Sequence, residues 1–191
     1  MPKSFTQMVN ENGQVTLSYN QADMISKFKL PVDTYNGMCT AFCGRWLSDP
    51  GTCQKDCKTQ KYQIDTLNMF NRYKSQNQAA AVTPQQFYAS EFKNLSYKSG
   101  SATSNIEKFD FLEYVTSGGC GDRMLFGVLG SGKGHALAAI RSGNDHWFLD
   151  PNEGFAYFST KEKFITFVAF YFDDNLRKID KYKRCFVDSW K

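Results

Sequence analysis

Between residues 123 and 158 four apolar runs follow one another with almost no chain between them: 123–129, 134–141, 145–150 and 155–158. Ser142-Gly143-Asn144-Asp145 is a hairpin signal, and Pro151-Asn152-Glu153-Gly154 turns the chain again. Links this short cannot hold a crossover helix, so the runs are predicted to pair as an antiparallel meander. Most of what precedes them reads as helix, apart from one weak strand at 14–19. Helices first and a meander second make an α+β fold.

The helical half is read from its spacing. Cys39, Phe42, Cys43 and Trp46 recur at i, i+3, i+4 and i+7, which predicts a helix over 38–47. Ser48-Asp49-Pro50-Gly51 is expected to stop it in a turn. A second helix is predicted over 62–75, with Ile64, Leu67, Met69 and Phe70 near one side and 76–81 as a connector. Thr83-Pro84 opens a third, with Phe87, Tyr88, Phe92 and Leu95 as its apolar face. Residues 97–105, rich in Ser and Gly, read as loop, and 106–115 as a short helix ended by Ser117-Gly118-Gly119. Thr160 caps a last apolar helix through 172.

At 191 residues the chain is expected to form one domain: an N-terminal extension over 1–33, a core over 34–172 and a basic segment over 173–191. No apolar run reaches the length of a membrane span, and the first residues lack the apolar centre of a secretory signal. The net charge of +4 is mild, and residues 177–184 hold five bases against one acid. Such a run faces an anionic membrane surface or an acidic partner, or is simply a solvated face.

Six cysteines need an account. Cys39, Cys43, Cys53 and Cys57 form C-x3-C-x9-C-x3-C, a poor match to zinc-ligand spacing, while Cys120 and Cys185 stand apart. No metal or cofactor is expected. A disulfide among Cys43, Cys53 and Cys57 and a set of free thiols are both open readings. Cys39 differs from the rest. Asn36 suits a helix N-cap and Gly37 a sharp turn, which puts Cys39 in a first helical turn. Unpaired N–H groups and the positive end of the helix dipole there favour thiolate, the reactive form. The alternative is a small buried hydrophobe.

Gly127-Val128-Leu129-Gly130-Ser131-Gly132-Lys133 imitates a phosphate-binding loop, but Gly134 stands where Ser or Thr should bind magnesium. The chain then reaches a hairpin turn within nine residues, too soon for a crossover helix. The glycines are read as a hairpin, and neither nucleotide nor nucleic acid is expected as a partner. A second constellation is more productive. His135 begins one strand and Asp150 ends the next, so an antiparallel hairpin brings them together across fifteen positions. With Cys39 they make a nucleophile, an acid/base and an orienting carboxylate. His146, the only other histidine, lies by the hairpin turn and is expected on the surface or rim.

Asn36-Gly37-Met38-Cys39 with Trp46-Leu47, Gly134-His135-Ala136, and Phe148-Leu149-Asp150-Pro151-Asn152-Glu153-Gly154 resemble, in this order, the YopT/AvrPphB-type cysteine proteases. The resemblance spans roughly residues 34–172 and implies a papain-like fold with Cys39 as nucleophile, His135 as acid/base and Asp150 as its partner. It further implies a bacterial effector or toxin domain, secreted by a specialised system without a cleavable signal and acting on a protein in the target-cell cytosol. The family takes an oxyanion donor from a side-chain amide about five residues before the nucleophile, where this chain has Thr34. Asn36 either substitutes or only caps the helix. The same triad also serves a deamidase or acyltransferase, since all pass through a thioester. A non-catalytic, cysteine-stapled binding module is the reading from a different class.

Overall fold

A computed structural model describes residues 3–31, 38–80, 84–91, 96–100, 104–105 and 122–191. The predicted meander is present as β4 (Arg123–Leu129), β5 (Gly134–Ser142), β6 (Asp145–Asp150) and β7 (Gly154–Phe158), all paired antiparallel. Gly143, at φ 60°, takes the positive-φ position of the β5–β6 turn. The sheet is larger than the meander. β1 (Gln14–Ser18) closes one end against β7. At the other end β8 (Arg184–Trp190) pairs with β4, and its far edge carries β2 (Tyr97–Gly100) and β3 (Ser104–Asn105).

Both faces of the sheet are covered, which is why its central strands read as nearly continuous apolar runs. On one face Met124, Phe126, Val128, Leu137, Phe148 and Phe158 pack against α1 (Phe5–Asn12) and α7 (Lys161–Phe170). On the other, Leu125, Ala136, Ala138, Leu149 and Phe155 meet α3 (Met38–Ser48) through Phe42, Cys43 and Trp46. Each fully buried Phe contributes about 1.5–3 kcal/mol of transfer free energy, so this double-sided core is the main source of stability. Several helix starts are capped by short polar side chains. Ser4 and Gln7 form a reciprocal capping box on α1, Asn20 accepts from Ala22 N–H at 2.9 Å on α2 (Gln21–Lys27), and Thr160 accepts from Lys163 N–H on α7.

Several expectations need correcting. α3 does end at Ser48 as expected, but in place of a turn the Asp49 side chain accepts from Thr52 N–H at 3.1 Å and caps a further helix, α4 (Pro50–Asp56). Pro50 takes the first helical position, where a missing N–H costs nothing. Residues 76–80 of the expected connector instead prolong α5 (Gln60–Ala80), since Gln and Ala are good helix formers. Ile64 turns outward at 40% exposure, while Tyr62, Leu67, Met69 and Phe70 are buried. α6 (Pro84–Glu91) starts where Pro84 predicts and buries Phe87 and Tyr88. Part of the expected loop at 97–105 is strand, because β8 offers it an edge. The last helix does not stop at 172 but widens into a π-helical segment, Tyr171–Ile179. The amide at Asn36, the turn at Gly37, Thr34, Phe92, Leu95, Cys120 and the helix expected at 106–115 lie outside the described residues.

Candidate active site

Cys39 stands in the first turn of α3, and α3 lies on β5 so that two of its cysteines reach the backbone of one residue, Ala136. Cys43 Sγ donates to the Ala136 carbonyl at 3.4 Å, and the Ala136 N–H donates to Cys39. The i, i+4 spacing of the two cysteines makes this double attachment follow from the helix period. It sets Cys39 beside the start of β5, where His135 sits.

The hairpin does for His135 and Asp150 what their spacing predicts. The register Ala138↔Leu149, carried one step further, sets Leu137 opposite Asp150, with His135 two residues on and on the same face. His135 Nε2 lies 2.8 Å from Asp150 Oδ1, which also accepts from Asn152 N–H at 2.7 Å. With Nε2 turned to the carboxylate, the ring hydrogen-bonds Cys39 as well. The structure therefore brings all three residues together, and all three are buried.

Burial opposes charge on each of them, but the neighbours outweigh it. Burial alone would raise the Cys39 thiol, yet the His135 hydrogen bond and charge and the Ala136 N–H bring it below the ordinary thiol range. Burial likewise disfavours imidazolium, but Asp150 and Cys39 hold His135 well above the usual histidine range. Asp150 is held below the usual carboxylate range against its own burial, through His135, Tyr171 and the Asn152 amide. The site favours a thiolate–imidazolium pair. The other cysteines of this helical region do not share this state: burial drives Cys43 far up, Cys53 up to about 12 and Cys57 up to about 11.

Tyr171 is a member of the site that the sequence pattern does not single out. Its hydroxyl donates to Asp150 Oδ2 at 2.5 Å, on the oxygen that His135 does not use. It is the first residue of the π-helical segment, and its ring packs on Phe5, Phe148 and Phe167. Nothing in an apolar helical run marks one tyrosine as a carboxylate partner before the topology is known. Tyr171→Phe keeps the ring packing and leaves Oδ2 without its donor. Loss of the hydroxyl is expected to lower kcat on the order of 10-fold, about one charged hydrogen bond. The uncompensated carboxylate then acts more strongly on His135, so the alkaline limb of kcat/KM moves to higher pH. A kcat/KM profile with limbs identical to wild type would show that the hydroxyl only packs.

The cleft beside Cys39 has a volume of about 440 Å³ and is lined by Cys39, His135, Ala136, Leu125, Gly127 and Phe186, among others. The glycine–lysine stretch forms its rim. Gly130 N–H closes on the Lys133 carbonyl at 2.8 Å, Gly132 has φ 71°, and the loop opens strand β5, not a helix. Lys133 Nζ stands 4.6 Å from the Tyr182 ring centre, and that ring lies near-parallel to His135 at 6.5 Å.

Other candidates fall elsewhere. His146 is not on the rim: it is 1% exposed, stacked on Phe164 at 5.0 Å, with Nδ1 2.9 Å from the Asn144 carbonyl. The reason is α7, which covers the hairpin end that the sequence left open. Burial lowers its pKa, which favours a neutral ring away from Cys39. Cys39, Cys43, Cys53, Cys57 and Cys185 are free thiols, so no disulfide joins Cys43, Cys53 and Cys57. In the basic run Arg177 and Lys178 pair with Asp173, and Lys178 also with Asp174, while Lys181, Lys183 and Arg184 are exposed.

No protein-family model matches the chain. It is 27% identical over 198 aligned positions to the cysteine protease YopT of Yersinia pseudotuberculosis serotype I, covering 88% of this chain. The match takes in 60% of that protein's length. The crystal structure of the Pseudomonas avirulence protein AvrPphB superposes with a TM-score of 0.65 at 13% identity, over 95% of this chain and 98% of that one. That likeness gives the fold as papain-like. The YopT domain of the Pasteurella multocida PfhB2 toxin aligns over 88% of this chain and 91% of its own at 17% identity and a TM-score of 0.36.

Proposed function

We propose, for a chain of the YopT/AvrPphB type in sequence and fold, that it is a cysteine peptidase domain that cleaves a protein substrate through Cys39, His135 and Asp150. The observation that carries this reading is the hydrogen-bonded path from Cys39 through His135 to Asp150 along the wall of a 440 Å³ cleft. The Cys39 thiolate attacks the scissile carbonyl carbon, and the carbon–oxygen π electrons move onto oxygen. That oxyanion faces the Cys39 N–H at the start of α3, where helix amides have no partner within the helix. Asn36 is the proposed second donor, or else the cap of that helix. As the carbon–nitrogen bond breaks, imidazolium His135 gives its proton to the leaving amine and a thioester remains. Neutral His135 then takes a proton from water, which attacks the thioester and releases Cys39. Asp150 keeps the ring oriented through both steps and stabilises its cationic form.

The wider setting follows the relatives' kind. The domain is proposed to work as a delivered effector or toxin on a target-cell protein. The exposed Lys181, Lys183 and Arg184 beside the cleft rim are proposed to meet an acidic partner or an anionic membrane surface. The test is a proteome-derived peptide library incubated with the chain, its new N-termini read by mass spectrometry. The expected result is a set of cleavages sharing a sequence pattern, all absent with Cys39→Ser. Deamidated glutamine or acyl transfer without new N-termini would overturn the peptidase reading and keep the thioester chemistry. No Cys39-dependent product of any kind would overturn both.

A further inference from the structure

We propose that Tyr182, held in place by Lys133, is a positioning residue for His135: its ring lies along the imidazole and keeps water off the His135–Asp150 hydrogen bond. The inference rests on the peptidase reading above and adds a further residue to its machinery. The Tyr182 and His135 rings are 19° from parallel with centroids 6.5 Å apart, an offset stack. Both are buried, as is Asp150. Burial and the nearby charges of Asp180, Cys39 and Asp150 push the Tyr182 hydroxyl up to about 12, which keeps it neutral beside the pair. Water at this place would compete for the imidazole N–H and weaken the carboxylate charge that holds the ring cationic. An aromatic ring occupies the space without offering a rival acceptor along its face.

Three parts of the chain fix that ring. Lys181, at φ 62°, turns the backbone between the π-helical segment and β8. This left-handed conformation costs a residue with a side chain energy, and it persists where the surroundings impose it. Tyr182 N–H then donates to the Leu176 carbonyl at 3.0 Å and Lys183 N–H to the Leu129 carbonyl at 2.9 Å, which ties the backbone to the π-helical segment and to β4. The glycine–lysine loop completes the fit. A Cβ on Gly130 would lie 3.2 Å from the Lys181 carbonyl oxygen and 3.4 Å from Tyr182 Cδ1, so glycine lets the loop close on the ring. The exposed Lys133 sets its ammonium 4.6 Å from the ring centre, a cation–π contact. The stretch that imitates a phosphate-binding loop thus packs against the neighbour of the imidazole. A purely packing role is the alternative, since Tyr182 also joins the core cluster of Val128 and Leu137.

The test compares wild type, Tyr182→Leu, Tyr182→Phe and Lys133→Met in the full 191-residue chain. The first readout is the rate at which the low-field imidazole N–H proton of the His135–Asp150 pair exchanges with water, the proton being assigned by its loss in His135→Ala. The second is kcat and KM for a cleaved peptide, with active molecules counted by Cys39 alkylation. Tyr182→Leu is expected to speed exchange and to lower kcat, each on the order of 10-fold, the scale of one hydrogen bond opened to water. KM should stay within about twofold, because the ring binds no substrate. Tyr182→Phe keeps the ring and should restore both readouts. Lys133→Met loses the cation–π contact and should move both in the same direction as Tyr182→Leu, by about 2- to 5-fold. If Tyr182→Leu does not fold, the exposed Lys133→Met decides alone. A wild-type proton already lost to exchange, an exchange rate unchanged by either substitution, or a Tyr182→Phe as impaired as Tyr182→Leu overturns the proposal. Faster exchange in a chain that cleaves no peptide sinks the peptidase reading and keeps the screen over the pair, whereas cleavage with unchanged exchange sinks the screen alone.

Discussion

His135→Ala is expected to lower turnover by at least about 10³-fold, the scale of losing a general acid/base together with its ion pair. The same change should raise the Cys39 pKa. Burial already pushes this thiol up, and the hydrogen bond and positive charge of His135 do most to bring it down. Asp150 also loses the cation that faces Oδ1, so its carboxyl rises towards and beyond the ordinary range. His146→Ala is the control. That ring stacks on Phe164 at the far end of the hairpin, so its loss should cost stability and leave the pH onset of Cys39 alkylation where it was. A dead His146→Ala beside an active His135→Ala would invert the assignment. Thiol ionisation followed by ultraviolet absorbance, alongside peptide cleavage, reads both effects.

Asp150→Asn is expected to be milder, on the order of 10–1,000-fold in kcat. The amide oxygen can still accept from His135 Nε2 and keep the ring in place. It cannot supply the negative charge that holds His135 well above its usual range. The alkaline limb of the rate profile, where imidazolium is lost, should therefore move to lower pH. This is the opposite direction from Tyr171→Phe. The asymmetry separates charge from orientation: the tyrosine variant strengthens the carboxylate's pull on the ring, and the asparagine variant removes it. A limb that stays at its wild-type position in both variants would mean that Asp150 acts on His135 by geometry alone.

The parts of this fold legible in the sequence are those fixed by short-range pattern. The helical face of Cys39, Phe42, Cys43 and Trp46 is buried as its period predicts, and the fifteen-residue interval from His135 to Asp150 closes because an antiparallel hairpin must close it. What escapes depends on long-range partners. Arg184 to Trp190 looks like the tail of a basic run, yet it is an interior strand between β4 and β2. Its pattern is hidden because both faces are covered: Cys185 and Val187 enter one core while Trp190 enters the other, with Asp188 among them. Residues 97–100 lack apolar alternation and become strand only because β8 presents an edge. Distance to a turn suggests an open His146, but burial depends on α7, which comes from outside the hairpin. Tyr171 is the most instructive omission, since its role is set by which oxygen of Asp150 remains free once His135 is in place.

The central claim is that Cys39 and His135 exist as a thiolate–imidazolium pair, and the pH dependence of iodoacetamide labelling, mapped cysteine by cysteine, tests it most directly. Cys39 is held below the ordinary thiol range while Cys43, Cys53 and Cys57 are held above it by burial. At about pH 6, well under the free-thiol value of about 8.5, nearly all label should fall on Cys39. In His135→Ala that selectivity should vanish and its onset should move up in pH. Equal labelling of Cys39 and Cys43 in the wild type, or an onset unchanged in His135→Ala, would contradict the ion pair.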